Sequence, residues 1–334
     1  YMFGFKKTNS YWMINHAICQ MVGPDTADEF WSKFKDNYVT RRDIDYLASL
    51  GANTIRLPFN YKLFTDEDFM GLSVNQDGFA RVDSLVSWCR DNHLYLILDM
   101  HDAPGGQTGD NIDDSYGYPW LLESEKSQSK FCDVWRKIAD RYKDEPVILG
   151  YELLNEPIAP YFENMKDLNT KLEPLYKRAV KSIREVDNHH IILLGGAQWN
   201  GNFDVFSDWK FDDKIMYTCH RYGGGTDSKA IESIISFRDK TGLPMYMGET
   251  GHNTDEWQDS FCKMLRENNI GYTFWPYKKL DNSCVNAVVR PAEWDTIVVK
   301  FAESQRVTYK EIREARPNQQ QAKSILNQYL EKIK

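Results

Sequence analysis

The chain has 334 residues, 42% of them hydrophobic and 27% charged, and a formal net charge of -8. That length allows one large α/β barrel or two ordinary domains, and that composition is of a globular protein that folds around a core. The negative charge argues against a nucleic-acid backbone as partner and fits a neutral substrate, and no apolar run is long enough to span a bilayer.

In chain order, residues 1–40 read as irregular structure plus short helix, with no convincing strand. Beyond them, short β-rich runs alternate with helical periodicity, the mark of an α/β fold with a parallel sheet. Strands are predicted over 54–59, 94–101, 147–155, 191–197, 215–220, 244–249 and 272–275. Helices are predicted over 43–50, 82–91, 130–142, 172–186, 229–240 and 256–268. The last residues place Ala322, Ile325, Leu326, Tyr329, Leu330 and Ile333 at helical spacing, so 319–334 reads as an amphipathic helix packed on the body. No Pro- or Gly-rich linker divides the chain, and residues 1–334 read as one domain.

Six cysteines, at 19, 89, 132, 219, 262 and 284, show neither C-x-x-C nor zinc spacing. They read as buried thiols, with disulfides left open. Residues 101–127 form a long loop, and loops of more than about 15 residues inside a compact domain are usually functional or disordered. The run Gly105-Gly-Gln-Thr-Gly109 within it fits neither a P-loop nor a dinucleotide fingerprint. His189-His190, just before a strand, reads as surface at the opposite end of the sheet.

The residues that follow the strands carry the chemistry. They are Arg56 and Asn60, then Asp99-Met-His101, Asn155-Glu156, Trp199, His220-Arg-Tyr222, Glu249 and Trp275. Singly, each has a plain structural reading: a salt-bridged glutamate, a satisfied core histidine, a core tryptophan. Their recurrence at successive strand ends favours a barrel over a doubly wound sheet, which would gather them at its switch point. The fold class is therefore α/β, a (β/α)8 TIM barrel. Since only seven strands are legible, the first barrel strand is expected upstream of residue 1, or is too short to recognise. Two carboxylates facing each other at strand ends are the equipment for cleaving a glycosidic bond.

With Leu154-Asn-Glu-Pro157 and Glu249 in place, the chain resembles glycoside hydrolase family 5 from about residue 54 to 297. The resemblance implies a retaining enzyme with Glu156 as acid/base and Glu249 as nucleophile. It puts Arg56, His101, Asn155, His220, Tyr222 and Trp275 at the family's substrate-binding and orienting positions. Arg56 and the Tyr222 hydroxyl would hold Glu249 ionised, and Asn155 is suited to the sugar 2-hydroxyl. Family members often have a cis peptide after this tryptophan, and proline makes cis far cheaper, so Trp275-Pro276 is expected to be cis. His101-Asp-Ala-Pro-Gly-Gly-Gln107 is similar to the His-Gly-Ala-Pro-Gly-Ser-Gln stretch of fungal exo-β-1,3-glucanases. That implies exo action on β-glucan-type or related β-glycosides, with Trp120, Asp113 and Asp114 as candidate pocket-wall residues; Trp199 is a separate substrate-binding candidate. An endo-acting β-glucanase, or a β-glycosidase for another sugar, stays open.

Two rival classes are weighed. A non-catalytic carbohydrate-binding barrel would be free to lose a carboxylate, but both are present. A metal-dependent hydrolase would carry H-x-H or H-E-x-x-H, and neither occurs. The expectation is thus no cofactor and no metal, and an oligo- or polysaccharide substrate. It includes no nucleic acid and no membrane-spanning segment, a monomer, and a secreted or periplasmic location with a cytoplasmic one open.

Overall fold

All seven predicted runs form strands, and they pair in chain order into one parallel sheet. They are β1 (Thr54–Asn60), β2 (Tyr95–Asp102), β3 (Ile148–Glu152), β4 (Ile191–Gly195), β5 (Ile215–His220), β6 (Met245–Gly251) and β7 (Gly271–Trp275). The computed structural model describes residues 2–71, 77–281 and 283–334. Helices α1 (Tyr11–Val22), α2 (Pro24–Asn37) and α3 (Arg41–Ser49) precede β1. Helices α4 (Asp77–Asp91), α5 (Glu125–Tyr142) and α6 (Met165–Arg184) follow β1, β2 and β3, while α7 (Glu232–Thr241) and α8 (Asp255–Glu267) follow β5 and β6.

The sheet curls until β1 and β7 approach each other, giving a nearly closed barrel. Among the described residues no hydrogen-bonded pair joins β7 to β1, and those before Thr54 supply three helices and no strand. Just past β7, the buried ammonium of Lys278 lies 2.7 Å from Asp43 on α3. It also donates to the carbonyls of Tyr38 at 2.8 Å and Ile333 at 2.9 Å. Its charge and its donors are satisfied, so the ion pair is held without an unmet hydrogen bond.

Residues before 40 are more helical than the sequence suggests. Ser10 caps α1 by accepting from Met13 N, and Pro24 opens α2 at a first-turn position that needs no N–H. Ile14, Ala17, Ile18 and Met21 share the buried face of α1. Together with Trp31, Trp294, Phe301 and Tyr329 they make a second apolar cluster beside the barrel. The C-terminal helix (Gln319–Lys332) packs there, against α1 and α2, rather than on the barrel wall.

Outside the strands, Leu96, Leu98 and Met100 of β2 join Trp135 and Ile138 of α5 in the main core. Inside the barrel, Ile97, Leu193 and Tyr246 form a small apolar plug. Toward the C-terminal ends of the strands the register slips, between Phe59 and Asn60, between Cys219 and His220, and between Met247 and Thr250. Bulges of this kind re-aim side chains, and these three sit where the chemistry-bearing residues emerge.

Candidate active site

Eight of the ten predicted site residues meet in one network at the C-terminal mouth of the barrel. Arg56, on β1, donates through Nη1 to Glu249 Oε1 at 2.6 Å and through Nη2 to Asn155 Oδ1 at 2.9 Å. The same guanidinium grips Glu152 at 2.8 and 2.9 Å and lies 3.0 Å from Asp99. His101 Nδ1 is 2.9 Å from Asp99, its Nε2 is 3.3 Å from Asn155 Nδ2, and its ring stacks on Trp275 at 5.3 Å. Tyr222 donates its hydroxyl to the second oxygen of Glu249.

Glu156 is held by a different partner. His220 Nδ1 lies 2.7 Å from Glu156 Oε1 and 3.5 Å from Glu249 Oε2. The ligating atoms of Glu156, His220 and Glu249 all lie within 4.8 Å of one another. A retaining pair needs its carboxyl groups only about 5–5.5 Å apart. The same three residues are a conceivable metal-ligand set. However, the ring nitrogen facing both carboxylates already shares a hydrogen bond with Glu156, and the Arg56 cation sits directly on Glu249.

The backbone works to place these groups. Glu156 adopts φ +46°, left-handed, which a non-glycine residue holds only where its surroundings fix it. The loop after β2 provides the fixing. Buried Gln107 donates to the carbonyls of His101 at 2.6 Å and Asn155 at 2.9 Å, and Thr108 Oγ1 donates to Glu156 O at 2.7 Å. At the β5–β6 bulge, a Cβ on Gly248 would lie 2.3 Å from Thr218 Oγ1 and 3.0 Å from His220 Nε2, so only glycine lets His220 reach the carboxylates. Asn200 Nδ2 meets His220 Nε2 at 3.2 Å. Its amide suits either state of the ring, the nitrogen donating to neutral imidazole and the oxygen accepting from imidazolium.

Electrostatics divide the carboxylates. Burial disfavours the charge on Glu249, but His220, Arg56 and His101 and the Tyr222 hydrogen bond outweigh it and hold the carboxyl below its ordinary range. Glu152 goes the other way: burial pushes its carboxyl up, against the pull of Arg56 and with the help of Asp99. One guanidinium therefore faces three carboxylates, and the penalty for crowding them falls on Glu152, whose neutral form is favoured, while Glu249 keeps its charge. Burial works against a charged His220, and the charge of Glu249 and the bond to Glu156 overcome it, so its pKa is raised.

The remaining two predicted residues stand apart. Trp199 and Trp120 are 39% and 44% exposed and pack on aromatic side chains outside the network. Trp199 meets Tyr161 edge-on at 6.3 Å, and Trp120 packs on Tyr118 at 4.7 Å. Asp113 is buried, 1% exposed. Its carboxylate accepts from the backbone of Thr108, Gly109 and Ser115 and so folds the loop. Asp114 accepts from Trp12 N at 2.8 Å, tying α1 to the rim. The glycine run compacts this loop: at Gly106, φ +81°, a Cβ would strike Ser115 Cβ at 2.1 Å.

His190 is a correction. It is buried, with Nδ1 2.5 Å from Asp187, and Asp187 also accepts from Tyr151 at 2.7 Å; only His189 is exposed. All six cysteines are free thiols, and Trp275-Pro276 is cis as expected. Asp99, noted at its strand end without a role, belongs to the site, and so do Glu152, Gln107 and Asn200, which were not singled out. Two of them carry a readable signal, a charge inside an otherwise apolar strand, which demands a buried partner.

A nearly closed parallel barrel with two carboxylates facing across its C-terminal mouth is the architecture of a glycoside hydrolase. The family profile described as Cellulase (glycosyl hydrolase family 5) matches residues 14–281, and the chain belongs to that family of retaining enzymes. A β-xylosidase of Phanerodontia chrysosporium is 33% identical over 324 residues, covering 86% of this chain and 66% of that protein. Endoglucanase C of Acetivibrio thermocellus is 26% identical over 323 residues, covering 78% of this chain and 90% of that one. Endoglucanase Cel5A of Thermotoga maritima superposes with a TM-score of 0.58 at 20% identity, over 83% of this chain and 89% of that one, a likeness of fold.

Proposed function

We propose that Glu249 is the nucleophile and Glu156 the acid/base of a double displacement on a β-glycoside. The observation that carries this is the asymmetry of the two carboxylates. Glu249 is bound by Arg56 and Tyr222, which favour its anion, while Glu156 shares a single hydrogen bond with His220. In the first step Glu249 attacks the anomeric carbon as Glu156 gives its proton to the departing glycosidic oxygen. The product is a glycosyl ester on Glu249 and a free alcohol. In the second step Glu156 takes a proton from water, whose oxygen attacks the same carbon and releases Glu249. Asn155 is placed for the sugar 2-hydroxyl and Trp275 for the face of the ring.

The substrate reading is an exo-acting enzyme on β-glucan-type or related β-glycosides. The compact loop after β2, pinned to Glu156 on one side and through Asp114 to α1 on the other, supports a closed end to the groove. Endo action is the second reading. It is favoured by the exposed aromatic pair Tyr161 and Trp199, a platform on which a longer chain would stack. Names among the relatives divide the same way, between endoglucanase and β-xylosidase. A polysaccharide substrate supports a secreted or periplasmic location, with a cytoplasmic one the alternative, and no helix among the described residues is long and apolar enough to cross a membrane.

The test is trapping with 2-deoxy-2-fluoro glycosides of several sugars, followed by mass spectrometry of the digest. A label on Glu249 is expected, and a label on another residue refutes the assignment. Release from a short aryl glycoside compared with release from a long polysaccharide separates exo from endo.

A further inference from the structure

Two buried polar side chains at the mouth have hydrogen-bonding atoms with nothing to meet. Asp102 is 1% exposed, and neither carboxyl oxygen has a partner within the protein. Asn60 is 2% exposed; its Oδ1 accepts from Lys62 N at 2.9 Å, but its Nδ2 has no partner. Buried polar atoms are nearly always paired, and those left over call for an explanation. These two sit directly opposite each other, Asn60 at the end of β1 and Asp102 at the end of β2, one residue past His101.

The register gives them a common face. Arg56 pairs with Ile97 and Pro58 with Asp99, and these point into the barrel, where Ile97 joins the inner plug and Asp99 meets Arg56. Strict alternation would pair Asn60 with His101 and turn Asp102 outward. The slip after Phe59 pairs Asn60 with Asp102 instead, so both His101 and Asp102 oppose one residue and are carried to the inner side.

A carboxyl and an amide are complementary, yet these two make no bond to each other. What satisfies both at once is a group that donates to one and accepts from the other. A sugar hydroxyl does this, and the site lies beside residues already assigned to the sugar. We propose that Asp102 and Asn60 form a subsite for ring hydroxyls of the glycone, and that this pair selects which sugar is transferred to Glu249. The proposal rests on the glycosidase reading above. Burial, and then the charges of Asp113, Asp114 and Asp99, hold the Asp102 carboxyl well above the usual range. In its neutral form it can donate as well as accept.

The experiment measures kcat/KM of the wild type, Asp102→Ala, Asp102→Asn and Asn60→Ala on aryl β-glycosides and on their monodeoxy analogues, one hydroxyl removed at a time. The expected result is one position whose removal slows the wild type by about 10–100-fold and slows Asp102→Ala little further. Asp102→Asn, which keeps two hydrogen-bonding atoms, should lose less than Asp102→Ala. Equal losses in wild type and variants at every position would overturn the subsite and leave a buried water as the partner. Unaltered kcat/KM in Asp102→Ala would overturn it as well. If Asp102→Ala fails to fold, the same comparison is read from Asp102→Asn and Asn60→Ala. A wild type that cleaves no β-glycoside would overturn the glycosidase reading, and this proposal with it.

Discussion

The barrel carries a histidine, a tyrosine and a carboxylate at each end, and the two sets differ in completeness. At the N-terminal end, Asp187 accepts from Tyr151 and from the backbone of His189, and faces His190 Nδ1; His190 Nε2 reaches the carbonyl of Glu145 at 3.0 Å. One carboxylate is matched to its donors there, and no second acid competes for them. At the C-terminal mouth His220 stands between two carboxylates, 2.7 Å from one and 3.5 Å from the other, while Arg56 and Tyr222 hold only Glu249. The same side-chain types thus give a closed structural knot at one end. At the other they give a pair of acids whose environments push them apart, which is how acid and nucleophile are assigned in such sites.

The sharpest way to break this contrast is at Glu249. Glu249→Gln is expected to abolish turnover of every β-glycoside while the protein keeps its fold, since the amide still accepts from Arg56. Retained turnover, with the fold checked by circular dichroism, would remove Glu249 from the chemistry. Glu156→Gln should cost roughly 10²–10⁴-fold in kcat/KM on natural glycosides, the usual worth of a positioned proton donor. The loss should shrink on aryl glycosides with acidic leaving groups, which depart without a proton. A loss independent of the leaving group would contradict an acid role.

Tyr222→Phe tests the electrostatics with a smaller effect. Burial raises the pKa of Glu249, and the charges of His220, Arg56 and His101 together with the Tyr222 hydrogen bond bring it below the ordinary range. Without that hydrogen bond the pKa rises. Activity requires the anion, so the acid limb of kcat/KM should move to higher pH, by about one pH unit, and the basic limb should stay in place. A shift toward lower pH would reverse the proposed order of roles.

What the sequence disclosed follows from the range of the forces involved. The seven strands were legible because parallel strands buried on both faces read as continuous apolar runs, and Glu156 and Glu249 stood out because Pro157 and Gly251 punctuate them. The extent of α1 was missed although Ile14, Ala17, Ile18 and Met21 stand at helical spacing, and the face they bury is defined by α2 and the C-terminal helix. Gln107 and Asn200 were hidden for a related reason. Each acts through a contact that exists only once a loop has folded, to Asn155 48 residues away and to His220 20 residues away. His190 looked like surface because its partners Tyr151 and Glu145 come from a different strand and loop.

The smallest effect on activity belongs to the knot at the other end, and it separates the two clusters most cleanly. Burial opposes the charge of Asp187, but the bonds from His190, His189 and Tyr151 prevail and hold its carboxyl well below the usual range. A depressed carboxylate stabilises the fold above its unfolded value, about 3.9, and that contribution fades as pH falls toward the folded value. His190 is the mirror case: burial lowers its pKa, the Asp187 bond more than restores it, and the result is raised. Its contribution is complete below the unfolded value, about 6.5, and is lost as pH rises through the folded one. Asp187→Asn removes both. The melting temperature should fall by a few degrees, from the loss of about 1–3 kcal/mol of buried hydrogen bonding, and should vary less between pH 3 and 8 than in the wild type. The pH profile of kcat/KM should be unmoved, because Asp187 lies at the far end of the barrel from Glu249. A drop in kcat/KM without a drop in melting temperature would show that the two ends are coupled through β3 and β4, and that the division drawn here between structural and chemical clusters is mistaken.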